Sequence, residues 1–214
     1  MNTFKLSILS ILLVSAQHGL AIQTPFLSGH SLGVLTISHS ETLSKAEVDG
    51  LIFMREEEKL SRDVYTNLSK KWGSRPFGNI ARSEQSHMEA VLALLKKFGV
   101  KVPSEKLGPG KFENADLQKF YDQLVERGQK SREDALEVGA LVEETDIADL
   151  LKRRNGTDKA DIIATYNQLL FASGNHIRAF SRNLKASGTG YKPTVLSASQ
   201  YNKIIEGADP ASLK

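Results

Sequence analysis

The sequence predicts an all-α fold: a bundle of four long helices with one short extra helix between the second and third. Three observations carry this. Long stretches with few Pro or Gly breakers alternate with short clusters rich in them. Apolar residues within those stretches recur at helical spacing, as in Leu136, Ala140, Ile147 and Leu150. No segment shows the alternation of a half-buried strand. Four long helices joined by short turns are the sequence signature of a helical bundle.

The elements follow in order. Residues 1–21 place Lys5 before the apolar run Leu6 to Val14 and end in small residues, the layout of a secretory signal peptide. That apolar run is too short for a permanent membrane span, so no stable membrane anchor is expected. The protein is then exported, periplasmic or secreted; the alternative is an N-terminal helix packed on the core. Residues 22–43, rich in Ser, Thr, Gly and His, read as a flexible lead-in. The bundle occupies 44–206. Ser44-Lys45-Ala46-Glu47 is a capping box that opens the first long helix, 45–71, and Trp72-Gly73-Ser74-Arg75-Pro76 ends it. The second runs over 77–98, with Gly99 as its stop. Pro103, Gly108, Pro109 and Gly110 make 100–112 a loop before a short helix over 114–127. Ser131 starts the third long helix, which runs to Arg154. Thr157 or Asp158 caps the fourth, 159–186. A last short helix lies near 197–206, and 207–214 form a tail.

Composition narrows the chemistry. The 214 residues include no cysteine, which removes disulfides, thiolate zinc sites, iron–sulfur clusters and cysteine nucleophiles together. Any metal must be held by carboxylates and by the five histidines. Lys and Arg total 28 against 25 Asp and Glu, and signal cleavage removes one of the basic residues. So nearly even a balance argues against a nucleic-acid partner.

The polar residues inside the bundle are the chemical signal. Glu84 and His87 are three apart, on one face of the second helix and one turn from each other. A carboxylate and an imidazole so spaced can bind one ion. In the first helix Glu56, Glu57 and Glu58 span about 200° at 100° per residue, so they cannot all point to solvent. Glu143-Glu144 with Asp149 in the third helix repeats Glu57-Glu58 with Asp63 in the first. Ser173-Gly174-Asn175-His176 in the fourth repeats Glu84-x-x-His87, with Ser173 where a Glu would complete the motif. Two Glu donors and two Glu-x-x-His motifs are the ligand set of ferritin-like dimetal carboxylate bundles; five of the six groups are present. Glu143 sits nearer the middle of its apolar stripe, but Glu144 matches Glu58 in the internal repeat and is preferred. Without a metal, the same residues would form a buried hydrogen-bond network. His18, His30 and His39 lie before the bundle and receive no role.

These segments resemble the ferritin-like family called domain of unknown function 2202, a distant relative of rubrerythrin and bacterioferritin. The resemblance is carried by LIFMREEEKLSRDVY, FGNIARSEQSHMEAVLALLKKFGV, VGALVEETDIADL, GNHIRAF and GTGYKP, in order over 47–206. It implies a ferritin-like four-helix bundle with iron or manganese, one or two ions, and oxygen or peroxide chemistry. By that resemblance the candidate metal ligands are Glu58, Glu84, His87, Glu144 and His176, with Glu57 and Glu143 as rivals to Glu58 and Glu144. Ser173 departs from the pattern at the second ion, and rubrerythrin's cysteine-bound iron domain is absent. Oxygen and nitrogen ligands suit iron or manganese. The leading expectation is a dimetal oxidoreductase of oxidase or peroxidase type. The alternatives are a non-enzymatic metal-binding or storage protein and a structural bundle with a vestigial site; a homo-oligomer is compatible with any of them. Tyr65 either donates a hydrogen bond toward a ligand, transfers an electron, or simply packs. Asp63 and Asp149 could orient ligand imidazoles, and Arg62 and Arg178 could balance buried carboxylates, with solvated salt bridges as the simpler account.

Overall fold

The computed structural model describes residues 42–102 and 106–213. The expected signal peptide at 1–21 and all but the end of the expected lead-in at 22–43 lie outside the described residues. Among those described there are six α-helices and no strand, so the chain is all-α. They are α1 (Lys45–Trp72), α2 (Arg75–Lys97), α3 (Ala115–Gly128), α4 (Arg132–Arg154), α5 (Ala160–Ala186) and α6 (Ala198–Ile205).

Local chemistry sets the ends. Ser44 accepts from the Glu47 N–H while the Glu47 carboxylate accepts from the Ser44 N–H, so two orphan donors of α1 are satisfied reciprocally. Gly73 stops α1 in the left-handed region at φ 60°, which costs glycine nothing. The second helix begins at Arg75, earlier than expected, and includes Pro76. A first-turn proline fits there because its missing N–H would have had no helical partner. Asn114 and Ser131 cap α3 and α4 through their side chains. Neither Thr157 nor Asp158 is the cap of α5; Lys159 holds that position, and its side chain does not bond the first-turn N–H groups. Thr157 instead donates to Glu47 at 2.6 Å, tying the start of α5 to the start of α1.

Packing follows chain order. The helix α1 lies chiefly on α2 and α4 chiefly on α5, and the two pairs join through α1 with α4 and α2 with α5. Helix α3 covers α1 and α4, while α6 and a 3₁₀ turn at Pro210–Ser212 cover α5. Leucines, valines and isoleucines from the four long helices fill the interior, with Tyr65, Phe77 and Phe180 clustered at centroid separations of 5.4 to 6.2 Å.

Gly139 permits that aromatic cluster. A Cβ there would come within 2.5 Å of the Phe180 ring. The ring packs against Tyr65 and Phe77, so displacing it disturbs that cluster. Overpacking costs about 1–3 kcal/mol, against about 1 kcal/mol that alanine gains in a helix interior. Gly139→Ala should therefore lower the urea midpoint; an unchanged or higher midpoint would show that the ring yields.

The run Arg55 to Lys59 on α1 is buried throughout, and each acidic residue serves a different neighbour. Glu56 accepts from the Glu113 and Asn114 N–H groups ahead of α3. Glu57 meets Asp149. Glu58 turns to His87 on α2. Lys59 donates to Asp63 and to the carbonyls of Gly108 and Lys111, fixing the α2–α3 loop.

Candidate metal centre

Four helices deliver polar side chains to one place in the interior: Glu58 from α1, Glu84 and His87 from α2, Glu143 from α4 and His176 from α5. Glu84 stands at the centre. One of its oxygens is 2.7 Å from His87 Nδ1 and the other is 2.9 Å from His176 Nδ1. Glu58 lies 3.2 Å from His87 Nδ1, and Glu143 lies 3.4 Å from His176 Nδ1. The two imidazoles stack with centroids 5.7 Å apart. This makes two groups that share Glu84, namely Glu58, Glu84, His87 and Glu84, Glu143, His176. The ligand atoms of each group lie within 4.8 Å of one another.

The three carboxylates are at most 2% exposed. Their contacts leave capacity over. Glu58 Oε1, Glu84 Oε1 and His176 Nδ1 are buried and make no aligned hydrogen bond, although the last two are close. Buried polar atoms without partners are costly. Carboxylate oxygens and imidazole nitrogens gathered this closely, with capacity left over, suit a shared cation once the imidazoles are neutral.

Electrostatics agrees with this. Burial pushes Glu58 up to about 7, against the pull of His87. Burial also opposes the charge on Glu84, yet the two imidazoles prevail and hold its carboxyl well below the usual range. Burial works against both imidazolium ions, but Glu58 and Glu84 push His87 up to about 12, and Glu143 and Glu84 push His176 up to about 10. Burial and the charge of Glu84 raise Glu143. Burial and then Glu58, Glu57 and Glu143 drive Asp146 well above its ordinary value.

These directions fix how stability varies with pH when no metal is added. Raised groups hold protons in the folded chain that the unfolded chain has released, so their contribution falls as pH rises. For Glu58 that window runs from 4.5 to about 7, and for the histidines from 6.5 to about 10 and 12. Glu84 acts oppositely, with stability lost as pH falls below 4.5. The metal-free protein should therefore melt at higher temperature near pH 5 than near pH 8. A melting temperature that rises steadily from pH 5 to pH 8 would contradict this charge arrangement.

Of the five expected ligands, Glu58, Glu84, His87 and His176 come together; Glu144 does not, and Glu143 stands in the cluster instead. The Glu144 carboxylate accepts from the Thr194, Val195 and Leu196 N–H groups, each at 2.8 Å, and from the Tyr191 hydroxyl. It anchors the segment before α6. Adjacent helix residues differ by 100°, so Glu144 cannot share the inward face of Glu143. Tyr65 donates to Glu143 at 2.6 Å. Asp63 accepts from Lys59, Arg62 and the Gly110 N–H, and its oxygens meet no imidazole. Asp149 pairs with Glu57. Arg62 donates to Asp63 and Gln85, and Arg178 to the carbonyl of Ile204 and to Asn175, so neither balances the buried cluster.

Asp146 was not anticipated. It is buried, accepts from Ser173 at 2.7 Å, and leaves Oδ1 without a partner. Its signal in the sequence is the spacing Glu143-x-x-Asp146, which matches Glu84-x-x-His87 in length.

Comparison with known proteins gives a consistent picture. Residues 47–208 match the uncharacterized protein domain DUF2202. The uncharacterized protein MJ0754 of Methanocaldococcus jannaschii is 47% identical over 168 residues, which cover 78% of this chain and 91% of that one. The crystal structure of that hypothetical protein aligns with a TM-score of 0.77 over 79% of this chain and 97% of the other.

Proposed function

Because this chain belongs to the DUF2202 family, whose members' chemistry must be sought in their own residues, we propose that it is a metalloprotein of ferritin-like, four-helix-bundle type. In this reading the site takes two iron or manganese ions and reacts with oxygen or peroxide. The observation that carries it is Glu84, which offers one oxygen to each of two histidines from different helices, inside a cluster with unpartnered buried atoms. Oxygen and imidazole donors without thiolate suit iron or manganese.

The residues divide the work. Glu58, Glu84 and His87 would hold one ion, and Glu84, Glu143 and His176 the other. Bound there, iron or manganese would supply redox chemistry toward oxygen or peroxide. Ligand imidazoles must be neutral, so His87 and His176 release protons as the site fills. Tyr65 holds Glu143 Oε1 by its hydroxyl and so orients the other oxygen of that carboxylate. Burial excludes bulk water and strengthens every interaction among these groups.

Elemental analysis of protein purified without chelators tests the reading. Two iron or manganese per chain is the expected result. No metal, even after anaerobic reconstitution with either ion, would overturn it. Uptake of many ions per chain would replace an enzyme with a storage protein.

A further inference from the structure

We propose that Asp146 on α4 supplies the ligand carboxylate that Ser173 withholds on α5, so that the fourth carboxylate has moved across the bundle from one helix to its neighbour. This rests on the two-ion reading above and adds a residue to it.

The argument begins at Ser173. It stands three residues before His176, where a Glu would complete a second carboxylate–imidazole pair, and it is fully buried. A buried hydroxyl needs a partner. Ser173 finds one in Asp146, donating to Oδ2 at 2.7 Å, with the Leu169 carbonyl 2.9 Å away. The contact fixes the Asp146 carboxylate on the α5 side and uses one of its oxygens. The other, Oδ1, is buried without a partner. An aspartate only 3% exposed, with a free oxygen, is costly unless a cation or proton meets it.

Register places it well. Asp146 follows Glu143 by one turn on the same face of α4, and its electrostatic neighbours include Glu58 and Glu143, one from each half of the cluster. Neither tight ligand group includes Asp146 itself. Glu57, the other buried acid nearby, is hydrogen-bonded to Asp149 and lies in the field of Arg153.

Charge supplies the remaining support. Glu58, Glu84 and Glu143 give three negative charges, and neutral imidazoles give none. Two divalent ions bring four positive charges into a dry interior, where an unbalanced charge is heavily penalised. With Asp146 ionised the count closes at zero. Ser173 then acts as a positioning residue, through its hydrogen bond to a ligand.

The test is titration of the metal-free full chain with Mn²⁺, and separately with Fe²⁺ under anaerobic conditions, followed by calorimetry and elemental analysis. Wild type should take up two ions. Asp146→Asn keeps the size and the Ser173 contact but loses the charge. It should retain one ion, with the second weakened by more than about 100-fold. Ser173→Ala removes only the hydrogen bond and should weaken the second ion by about 10–100-fold, the usual effect of losing a ligand's outer partner. Asp146→Ser combined with Ser173→Glu should restore two-ion binding. Asp146→Asn should also raise the melting temperature of the metal-free protein, which shows that it folds. Two ions bound with unchanged affinity in Asp146→Asn would overturn the proposal while leaving the metal site intact. A single ion in wild type would overturn this assignment and the two-ion reading while leaving a one-ion metal site. No ion of either metal in wild type would overturn the two-ion reading and this assignment together.

Discussion

On the two-ion reading, Glu84→Ala should cost the protein both metal ions at once, whereas His87→Ala should cost only the one it shares with Glu58. The difference follows from position. Glu84 alone belongs to both ligand groups, with one oxygen toward each imidazole. Removing it leaves each remaining group with one carboxylate and one histidine. It also removes the anion that holds both imidazoles, and breaking a buried ion pair costs about 3–5 kcal/mol. Metal content and stability of the variant should therefore fall together. Glu84→Gln separates the two effects, since the amide preserves size and some hydrogen bonding but binds metal poorly. Full metal content in Glu84→Gln would place the ions elsewhere in the chain.

Much of the helical framework could be read from local signals. The Ser44 capping box and the Gly73 stop each depend on residues within a few positions of one another. The same holds for Glu84 and His87, whose spacing along one helix settles that they share a face. What could not be read depended on distant partners. The choice between Glu143 and Glu144 is a 100° choice of rotation for α4, made by contacts about fifty residues away, where the 194–196 amides claim Glu144. The internal repeat suggested the other register because it aligned residues by pattern, while packing aligned them by face. Asp146 was hidden for a related reason. A single Asp in an acidic helix looks like a solvated residue until Ser173 is seen against it. Glu56 likewise reveals its partners only when the chain brings residues 113 and 114 back to α1.

Glu143 and Glu144 should respond to substitution in opposite senses, and this tests the register most sharply. Both are almost completely buried, so exposure does not distinguish them. Glu144 is fully used: three backbone N–H groups and the Tyr191 hydroxyl converge on its two oxygens. Glu144→Ala strands those donors under the segment that leads into α6. Each buried donor left unmet costs about 1–3 kcal/mol, and some will regain water as the segment loosens. A net loss of about 3–5 kcal/mol is expected, within the range for breaking a buried charged network. Its metal content, measured under conditions where it remains folded, should stay at the wild-type level. Glu143 is the converse case. It sits among other buried acids, and burial together with the charge of Glu84 opposes its ionisation. Glu143→Gln relieves that repulsion and keeps an acceptor for Tyr65. The metal-free variant should therefore match or exceed wild type in denaturant midpoint, yet lose the ion held with His176. Denaturation of metal-free samples beside elemental analysis of reconstituted ones reads both effects. If Glu144→Ala lost the metal and Glu143→Gln kept it, α4 would have to be rotated by one residue, and Glu144 would be the ligand after all.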